Sequence, residues 1–301
     1  MLHNKRHRPP ARWGKYKRSD LPWKGKMTLC IAAGCVRKSG PCIVASADLR
    51  VETDFAGSDT AFKYEDLSPG WIGLMAGDDL SNALELAATF RSTIDPFDLD
   101  RDNIFDKLNE VSCAHHKKLV SRLIQMKLGV SLERFYAQGD DGIVLTPEDR
   151  SRLQYQIEQV NFGCSMISCG FLPAKPLPYI FSFDIEGNVS QDQSFAAIGT
   201  GSIVAEASLF QRGQGWLTPF DETLYNVYEA SKMASEANAP GVGSNSFLFI
   251  ARPNIEFNEA FLSVVTHEDK LALEKCFVKF GPKPVKINAL PKITLEEISG
   301  D

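Results

Sequence analysis

The chain has 301 residues, of which 44% are hydrophobic and 10% aromatic, so it can bury the core of one large or two small domains. No apolar run approaches the ~18 residues that a membrane helix needs, and residues 1–26 lack the apolar core of a signal peptide. These first 26 residues hold nine of the 33 basic residues and one of the 38 acidic residues. The rest of the chain is therefore acidic and does not suit nucleic-acid binding.

The seven cysteines are scattered along the chain and contain no Cys-x-x-Cys pair. An odd, dispersed set favours reduced, structural thiols over a disulfide framework, so we expect a cytoplasmic protein. His115 and His116 are adjacent, point in different directions on a helix, and make a poor metal pair. We expect neither a metal nor another cofactor.

The basic segment 1–27 has no hydrophobic periodicity and is predicted to be a disordered extension. Three interpretations are open. The segment is a propeptide removed between Met27 and Thr28, an upstream stretch that is not translated because the protein starts at Met27, or a solvated basic tail. In the first two cases Thr28 becomes the first residue of the mature chain, and residues 28–301 form a single domain.

A predicted β-hairpin opens this domain. The β-rich runs Thr28–Val36 and Cys42–Ala47 flank a polar, glycine-containing turn at Arg37–Pro41. A threonine in the first position carries both a hydroxyl nucleophile and a free α-amine, whose pKa near ~8 lets it act as a base at neutral pH. Asp48 ends the return strand and is expected to lie back near that terminus.

Beyond the hairpin, the pattern predicts a polar loop over Val51–Ala61, a strand over Phe62–Leu67 and a buried strand over Trp71–Ala76. A helix is predicted from about Asp78. Residues 101–159 are predicted to be helical and polar. They include a helical insertion around 126–159 that shapes either substrate access or subunit contacts.

The remaining predicted elements alternate between strands and helices. Strands are predicted over 162–171, 179–183, from 189, over 196–198 and over 246–250, and helices from 203, over 223–237 and over 267–276. This order matches neither regular βα alternation nor an all-β chain, and it indicates an α+β fold. Two packed sheets with helices on both outer faces would bury both sets of apolar strands.

Three pieces of sequence occur in a specific order and spacing: Met27–Ala32, then Ala45–Arg50, then Lys63 followed by Leu74–Asp79. Together they resemble the proteasome-like N-terminal-nucleophile (Ntn) hydrolases, most closely the bacterial β-subunit and Anbu-like members, and the similarity continues more faintly to about Ile250. The resemblance implies a four-layer αββα sandwich and a threonine protease or amidase. It also implies a homo-oligomer that acts on peptide or amide substrates, and it leaves any unfoldase partner undetermined. The composition and charge predict no membrane or nucleic-acid partner.

The resemblance implies a role for each candidate catalytic residue. Thr28 is the nucleophile and base, Lys63 the cation that lowers the pKa of the α-amine, and Asp48 the anchor of that cation. The backbone N–H of Gly77, fourteen positions after Lys63, is the oxyanion donor, and Thr200 supplies a supporting hydroxyl. The alternatives are an ordinary surface ion pair for Asp48 and Lys63, and a simple turn glycine at position 77.

Two further features bear on which substrate side chain the site accepts and on whether the site is catalytically active. Ala61 and Met75 fall where the family lines its first specificity pocket, which implies a medium-sized apolar side chain in the substrate. The family supports the terminal amine with an aspartate and a serine, whereas this chain has Asn238 and Gly241 at the matching positions. This departure keeps open a catalytically inactive scaffold or binding subunit. A narrower amidase acting on a small molecule is a third interpretation.

Overall fold

The structure is a computed structural model. It describes residues 29–52, 57–59, 63–77, 80–137, 145–172, 175–192, 194–237, 242, 245–253 and 262–282. Within these ranges the chain forms a mixed α+β fold with two antiparallel five-stranded sheets and a two-stranded ribbon. No helix in the same ranges combines the length and the hydropathy needed to cross a membrane.

The elements follow one another along the chain in blocks of strands and helices. The strands are β1 Cys30–Arg37, β2 Gly40–Asp48, β3 Arg50–Glu52, β4 Gly57–Asp59, β5 Tyr64–Ser68, β6 Trp71–Gly77, β7 Cys164–Leu172, β8 Lys175–Phe183, β9 Val189–Asp192, β10 Phe195–Ile198, β11 Ser246–Ala251 and β12 Leu262–Val264. The α-helices are α1 Leu80–Thr93, α2 Ile104–Leu128, α3 Leu132–Tyr136, α4 Pro147–Glu158, α5 Ser202–Gln211, α6 Phe220–Glu236 and α7 His267–Phe280, with a 3-10 turn at Pro96–Asp98.

The first sheet has the strand order β10-β1-β2-β11-β12 and the second has the order β5-β6-β7-β8-β9. The predicted hairpin is confirmed as β1 and β2, which pair from Cys30 opposite Ala47 to Arg37 opposite Gly40. Gly40 has φ +125°, a backbone conformation that residues with a side chain rarely adopt, which explains the glycine in this tight turn.

Three buried clusters hold the sheets and helices together. One contains side chains of both sheets, including Ala32 and Ala45 of the first and Ile167 of the second. Another joins the second sheet to α1 and α2, and a third joins the first sheet to α5, α6 and α7. Alternate residues of β1 enter different clusters, with Cys30 and Ala32 on one face and Ile31 and Ala33 on the other. Because both faces of β1 are buried, its sequence is apolar throughout rather than alternating.

The helices of the region predicted to hold an insertion have a small core of their own. Val120 and Ile124 of α2, Phe135 of α3, and Leu153 and Ile157 of α4 share this cluster. Pro147 begins α4 and Thr146 caps it, its hydroxyl accepting the N–H of Asp149 at 3.1 Å. The helices α3 and α4 and the end of α2 are therefore helical as predicted in the described parts of this segment, and its role as an insertion stays a prediction.

Two short strand regions differ from the sequence prediction. The stretch Val51–Ala61 was expected to be a loop, but it contains β3 and β4, which pair as a ribbon with Val51 opposite Ser58. The three-residue strand β12 was also not predicted, and it pairs with β11. Backbone hydrogen bonds alone define such three-residue pairings, so a polar or irregular sequence gives no alternating signal for them.

His115 of α2 is fully buried, and the ring stands edge-on to Phe162 at 4.7 Å between centroids. Neither ring nitrogen has a hydrogen-bond partner within the described part of the chain. Burial lowers the pKa of His115 to about 4, and the charges of Lys118 and Arg122 add to this effect while that of Glu85 opposes it. The histidine is therefore neutral in the folded protein at neutral pH.

This burial predicts a pH dependence of stability. In the unfolded chain the histidine binds a proton below its ordinary pKa of about 6.5, so stability falls as the pH falls from about 6.5 towards about 4. At 1.36 kcal/mol for each pKa unit, the His115 contribution amounts to about 3 kcal/mol. We expect a His115→Phe variant to lose less stability than the wild type between pH 7 and pH 4.5 in urea unfolding. Equal losses in the two proteins would contradict the assignment.

Candidate active site

Asp48 and Lys63 form a buried ion pair. Lys63 directly precedes β5, and its side chain is 0% exposed, while the side chain of Asp48, at the end of β2, is 4% exposed. Lys63 Nζ lies 4.0 Å from Asp48 Oδ1. A buried ammonium is costly without a counter-charge, and this carboxylate provides one. The pair predicted from the sequence is thus brought together in the interior, and it is not the surface pair that was the alternative.

Backbone and side-chain hydrogen bonds tie this pair to the start of β1. The N–H of Asp48 donates to the carbonyl of Leu29 at 3.0 Å, and the N–H of Met75 donates to the carbonyl of Lys63 at 2.8 Å. The thiol of Cys30 donates to the carbonyl of Met75 at 3.3 Å. Leu29, the first described residue, is bonded directly to Thr28. Both charges are therefore anchored to the strand that follows the predicted nucleophile.

Cys30 is a neighbour of the site that the sequence reasoning missed. It is fully buried, and burial raises the pKa of its thiol to about 12, while Lys63 lowers that pKa and Asp48 raises it. Both charges of the pair therefore act on the first residue of β1. The thiol stays protonated at neutral pH and is not a competing nucleophile. In the sequence, the only sign of its position was that this small residue comes two positions after Thr28, in an apolar run.

Gly77, the predicted oxyanion donor, ends β6 opposite Cys164. Its φ is +148°, and a Cβ added there would lie 2.3 Å from the Cα of Cys164 and 2.6 Å from the carbonyl oxygen of Gly163. Only glycine fits both this backbone conformation and this close approach to β7. The packing explains the glycine by itself, so its role as oxyanion donor stays a prediction.

A Gly77→Ala variant is expected to be destabilised by about 3 kcal/mol or more, because backbone strain adds to a clash with backbone atoms. Gly40→Ala is the matched control. Gly40 also has a positive φ, +125°, but nothing lies within 4 Å of an added Cβ. Urea unfolding of both variants separates strain from clash. If the two variants lose the same stability, the close approach to β7 does not matter.

Thr200 is exposed and follows β10, which pairs with β1 so that Ile198 is opposite Cys30. The next residue, Gly201, is buried, and a Cβ there would lie 3.5 Å from the Cβ of Leu29. The segment after β10 therefore packs beside the residue bonded to Thr28. This position suits the supporting hydroxyl predicted for Thr200, which stays a prediction.

The remaining predicted site residues are only partly placed. Met75 is 1% exposed and packs in the cluster that joins the second sheet to α1 and α2. Thr28, Ala61, Asn238 and Gly241 lie outside the described residues. The pocket role of Ala61 and Met75 stays a prediction. Within the described ranges, no three His, Cys, Asp or Glu side chains are grouped so that they could hold a metal ion.

Comparison with known proteins bears on the fold. No family model and no curated protein matches the sequence. Among solved structures, the chain is similar to Anbu (ancestral beta-subunit) from Yersinia bercovieri, with a TM-score of 0.54 and 15% identity over 90% of this chain and 100% of that chain. At this identity the likeness concerns the fold alone. The two antiparallel sheets and their helices are therefore consistent with an Anbu-like, proteasome-like fold.

Proposed function

We propose that the protein is a threonine-dependent peptide or amide hydrolase, with Thr28 as the first residue of the mature chain. The observation that carries the proposal is the fully buried Lys63, held against Asp48 and tied through β1 to the residue bonded to Thr28. The fold likeness to Anbu supports it. We include in the proposal the four-layer αββα arrangement, a homo-oligomeric assembly and a cytoplasmic location.

Burial of the charged Lys63 needs an explanation other than stability. Replacing a buried ion pair with apolar side chains is often neutral or stabilising, so Lys63 and Asp48 are not explained by stability alone. A positive charge in a poorly solvated interior acts strongly over a few ångströms. Beside a terminal amine it lowers the pKa of that amine and favours the neutral form that can accept a proton.

The proposed reaction uses this neutral amine as the base. The α-amine of Thr28 takes the proton of Oγ as Oγ attacks the substrate carbonyl, and the N–H of Gly77 stabilises the developing oxyanion. The tetrahedral intermediate collapses, and the α-ammonium gives its proton to the departing amine. Water then attacks the acyl-enzyme, with the same amine again acting as base, and releases the acid and free Thr28. In this proposal the hydroxyl of Thr200 hydrogen-bonds the amine during both steps.

The first test is the chemical identity of the mature N-terminus. Intact mass and N-terminal sequencing of protein purified from its native cell are expected to show a chain that begins at Thr28. A peptide epoxyketone, which reacts with a hydroxyl and an α-amine on the same residue, is expected to add once to each chain. Chains that retain residues ahead of Thr28 and take up no epoxyketone would contradict the enzyme and leave a scaffold or binding subunit.

Substrate profiling separates a peptidase from a narrower amidase. The predicted pocket residues Ala61 and Met75 favour a medium-sized apolar side chain on the acyl side of the cleaved bond. A panel of fluorogenic peptides that differ only in this side chain is therefore expected to show highest kcat/KM for residues of leucine size. Turnover confined to small non-peptide amides would contradict the peptidase and retain the amidase.

A further inference from the structure

Two cysteines face each other across the β1–β2 hairpin. Cys35 of β1 is directly opposite Cys42 of β2, and their sulfur atoms are 3.1 Å apart. Both residues are fully buried in the cluster that joins the first sheet to α5, α6 and α7. The two positions are seven apart in the sequence, and the predicted hairpin by itself does not fix which residues of its two strands lie opposite each other.

The backbone at this pair has the spacing that a disulfide requires. The N–H groups of Gly34 and Val36 donate to the carbonyls of Ser194 and Thr218, on the side away from β2. The N–H and C=O of Cys35, between them, therefore face β2. Residues opposite each other in such a hydrogen-bonded pair have Cα atoms about 5.5 Å apart. Disulfides span Cα separations of about 4.4–6.8 Å. The Cα separation therefore suits a disulfide, and forming the bond draws the two Cβ atoms, which are about 4.5–5.5 Å apart in facing residues, towards the separation of about 3.5–4.5 Å that a disulfide spans.

The surroundings make the two thiols unequal. Gln214 Nε2 donates to Thr223 Oγ1 at 3.1 Å, which leaves the Thr223 hydroxyl proton to point at the Cys35 sulfur, with which it is hydrogen-bonded. The hydrogen bond with Cys35 lowers the pKa of Cys42 despite burial, and the charges of Arg37 and Arg252 lower it further. The same hydrogen bond raises the pKa of Cys35, together with burial, and outweighs the lowering of that pKa by Thr223 and Arg37. Cys42 is thus the thiol that ionises first.

We propose that Cys35 and Cys42 are a redox site that forms a reversible disulfide with a small hydroperoxide as oxidant. The Cys42 thiolate attacks one peroxide oxygen, which gives a sulfenic acid on Cys42 and releases hydroxide or the corresponding alcohol. The Cys35 sulfur then attacks the Cys42 sulfur, forms the S–S bond and expels water. Two thiols lose two electrons and one peroxide gains them, and a dithiol reductant reverses the step.

Position and environment favour this pair over other thiols of the chain. Only two residue pairs, Val36 with Pro41 and Arg37 with Gly40, separate it from the hairpin turn, and Gly40 and Pro41 are half-buried. For this reaction the end of the hairpin must open enough for a small peroxide to reach the two buried sulfurs. Burial acts to raise the pKa of all four thiols, but Cys30 and Cys169, unlike Cys42, have no facing thiol among the causes of their pKa shifts to offset it, so they stay protonated. The inference does not rest on the proposed hydrolase activity.

Peptide mapping of the full chain tests the proposal. Trypsin cleaves after Arg37 and after Lys38, between the two cysteines, so a disulfide links the peptide that ends at Arg37 to the peptide Ser39–Arg50. The protein is treated with a few equivalents of hydrogen peroxide, denatured, blocked with N-ethylmaleimide and digested. We expect the linked pair, a mass about 2 Da lower than that of the dithiol, and loss of the link with dithiothreitol.

Single variants identify the partner sulfur, because the peptide that ends at Arg37 also holds Cys30. Cys30→Ser is the matched control and is expected to keep the link, whereas Cys35→Ser is expected to abolish it. A link that survives in Cys35→Ser and disappears in Cys30→Ser would overturn the assignment. So would wild-type protein in which exposed Cys113 is oxidised while Cys35 and Cys42 both remain free to react with maleimide. The peptide map of the wild-type protein tests whether the hairpin peptides become linked even if a variant does not fold.

Discussion

A Thr28→Ala variant expressed from Met27 is expected to lose at least about a thousandfold in kcat/KM on a fluorogenic peptide, because removal of a covalent nucleophile commonly costs far more than this. The variant keeps the terminal α-amine but lacks Oγ, so no acyl-enzyme can form. Labelling by an epoxyketone should disappear with turnover. Its thermal unfolding should match that of the wild type, since the lost hydroxyl belongs to the reaction.

Two controls make this result specific. Starting translation at Met27 places Thr28 first in both proteins once methionine is removed, so self-cleavage is not needed to expose the terminus. Thr28→Ser keeps a hydroxyl and an amine and is expected to retain measurable turnover and labelling. Wild-type activity in Thr28→Ala would exclude the N-terminal nucleophile and with it the proposed mechanism.

A Lys63→Met variant is expected to lose both stability and activity. It leaves the buried carboxylate of Asp48 without its cation, and breaking a buried ion pair in this way costs about 3–5 kcal/mol. It also removes the charge that favours a neutral α-amine, so kcat/KM is expected to fall about a hundredfold or more. The free energy of unfolding comes from urea titration, and turnover is measured at a temperature where the variant is folded.

Double and surface variants separate these two effects. Replacing both residues, as Lys63→Met with Asp48→Asn, also removes the buried carboxylate charge and is expected to recover part of the stability without recovering turnover. Lys107→Met breaks the exposed pair between Lys107 and Glu110 and is expected to cost no more than about 1 kcal/mol. If the double variant regains activity along with stability, Lys63 has a structural role only.

Local signals explain what could be predicted about the fold. The β1–β2 hairpin was evident because its two apolar runs flank a short glycine-containing turn, so the contacts it needs lie within about twenty residues. Helix α6 was evident from its helical pattern, although it begins at Phe220, three residues before the predicted start. The ribbon of β3 and β4 and the strand β12 were missed, because three-residue backbone pairings need no particular side-chain pattern.

By itself, the sequence determined the β1–β2 hairpin and the helical segments, and it singled out Lys63 and Asp48 as a candidate pair, because a buried ammonium needs a nearby acid. The tertiary structure decided that this pair is buried and does not lie on the surface. Only the tertiary structure decided that Cys30 adjoins this pair, that Gly77 is closely packed against β7, and that Cys35 and Cys42 are in contact. The physical reason is register. Turns and periodicity arise from neighbouring residues, whereas contacts between side chains on separate strands depend on which residues align when the sheets form.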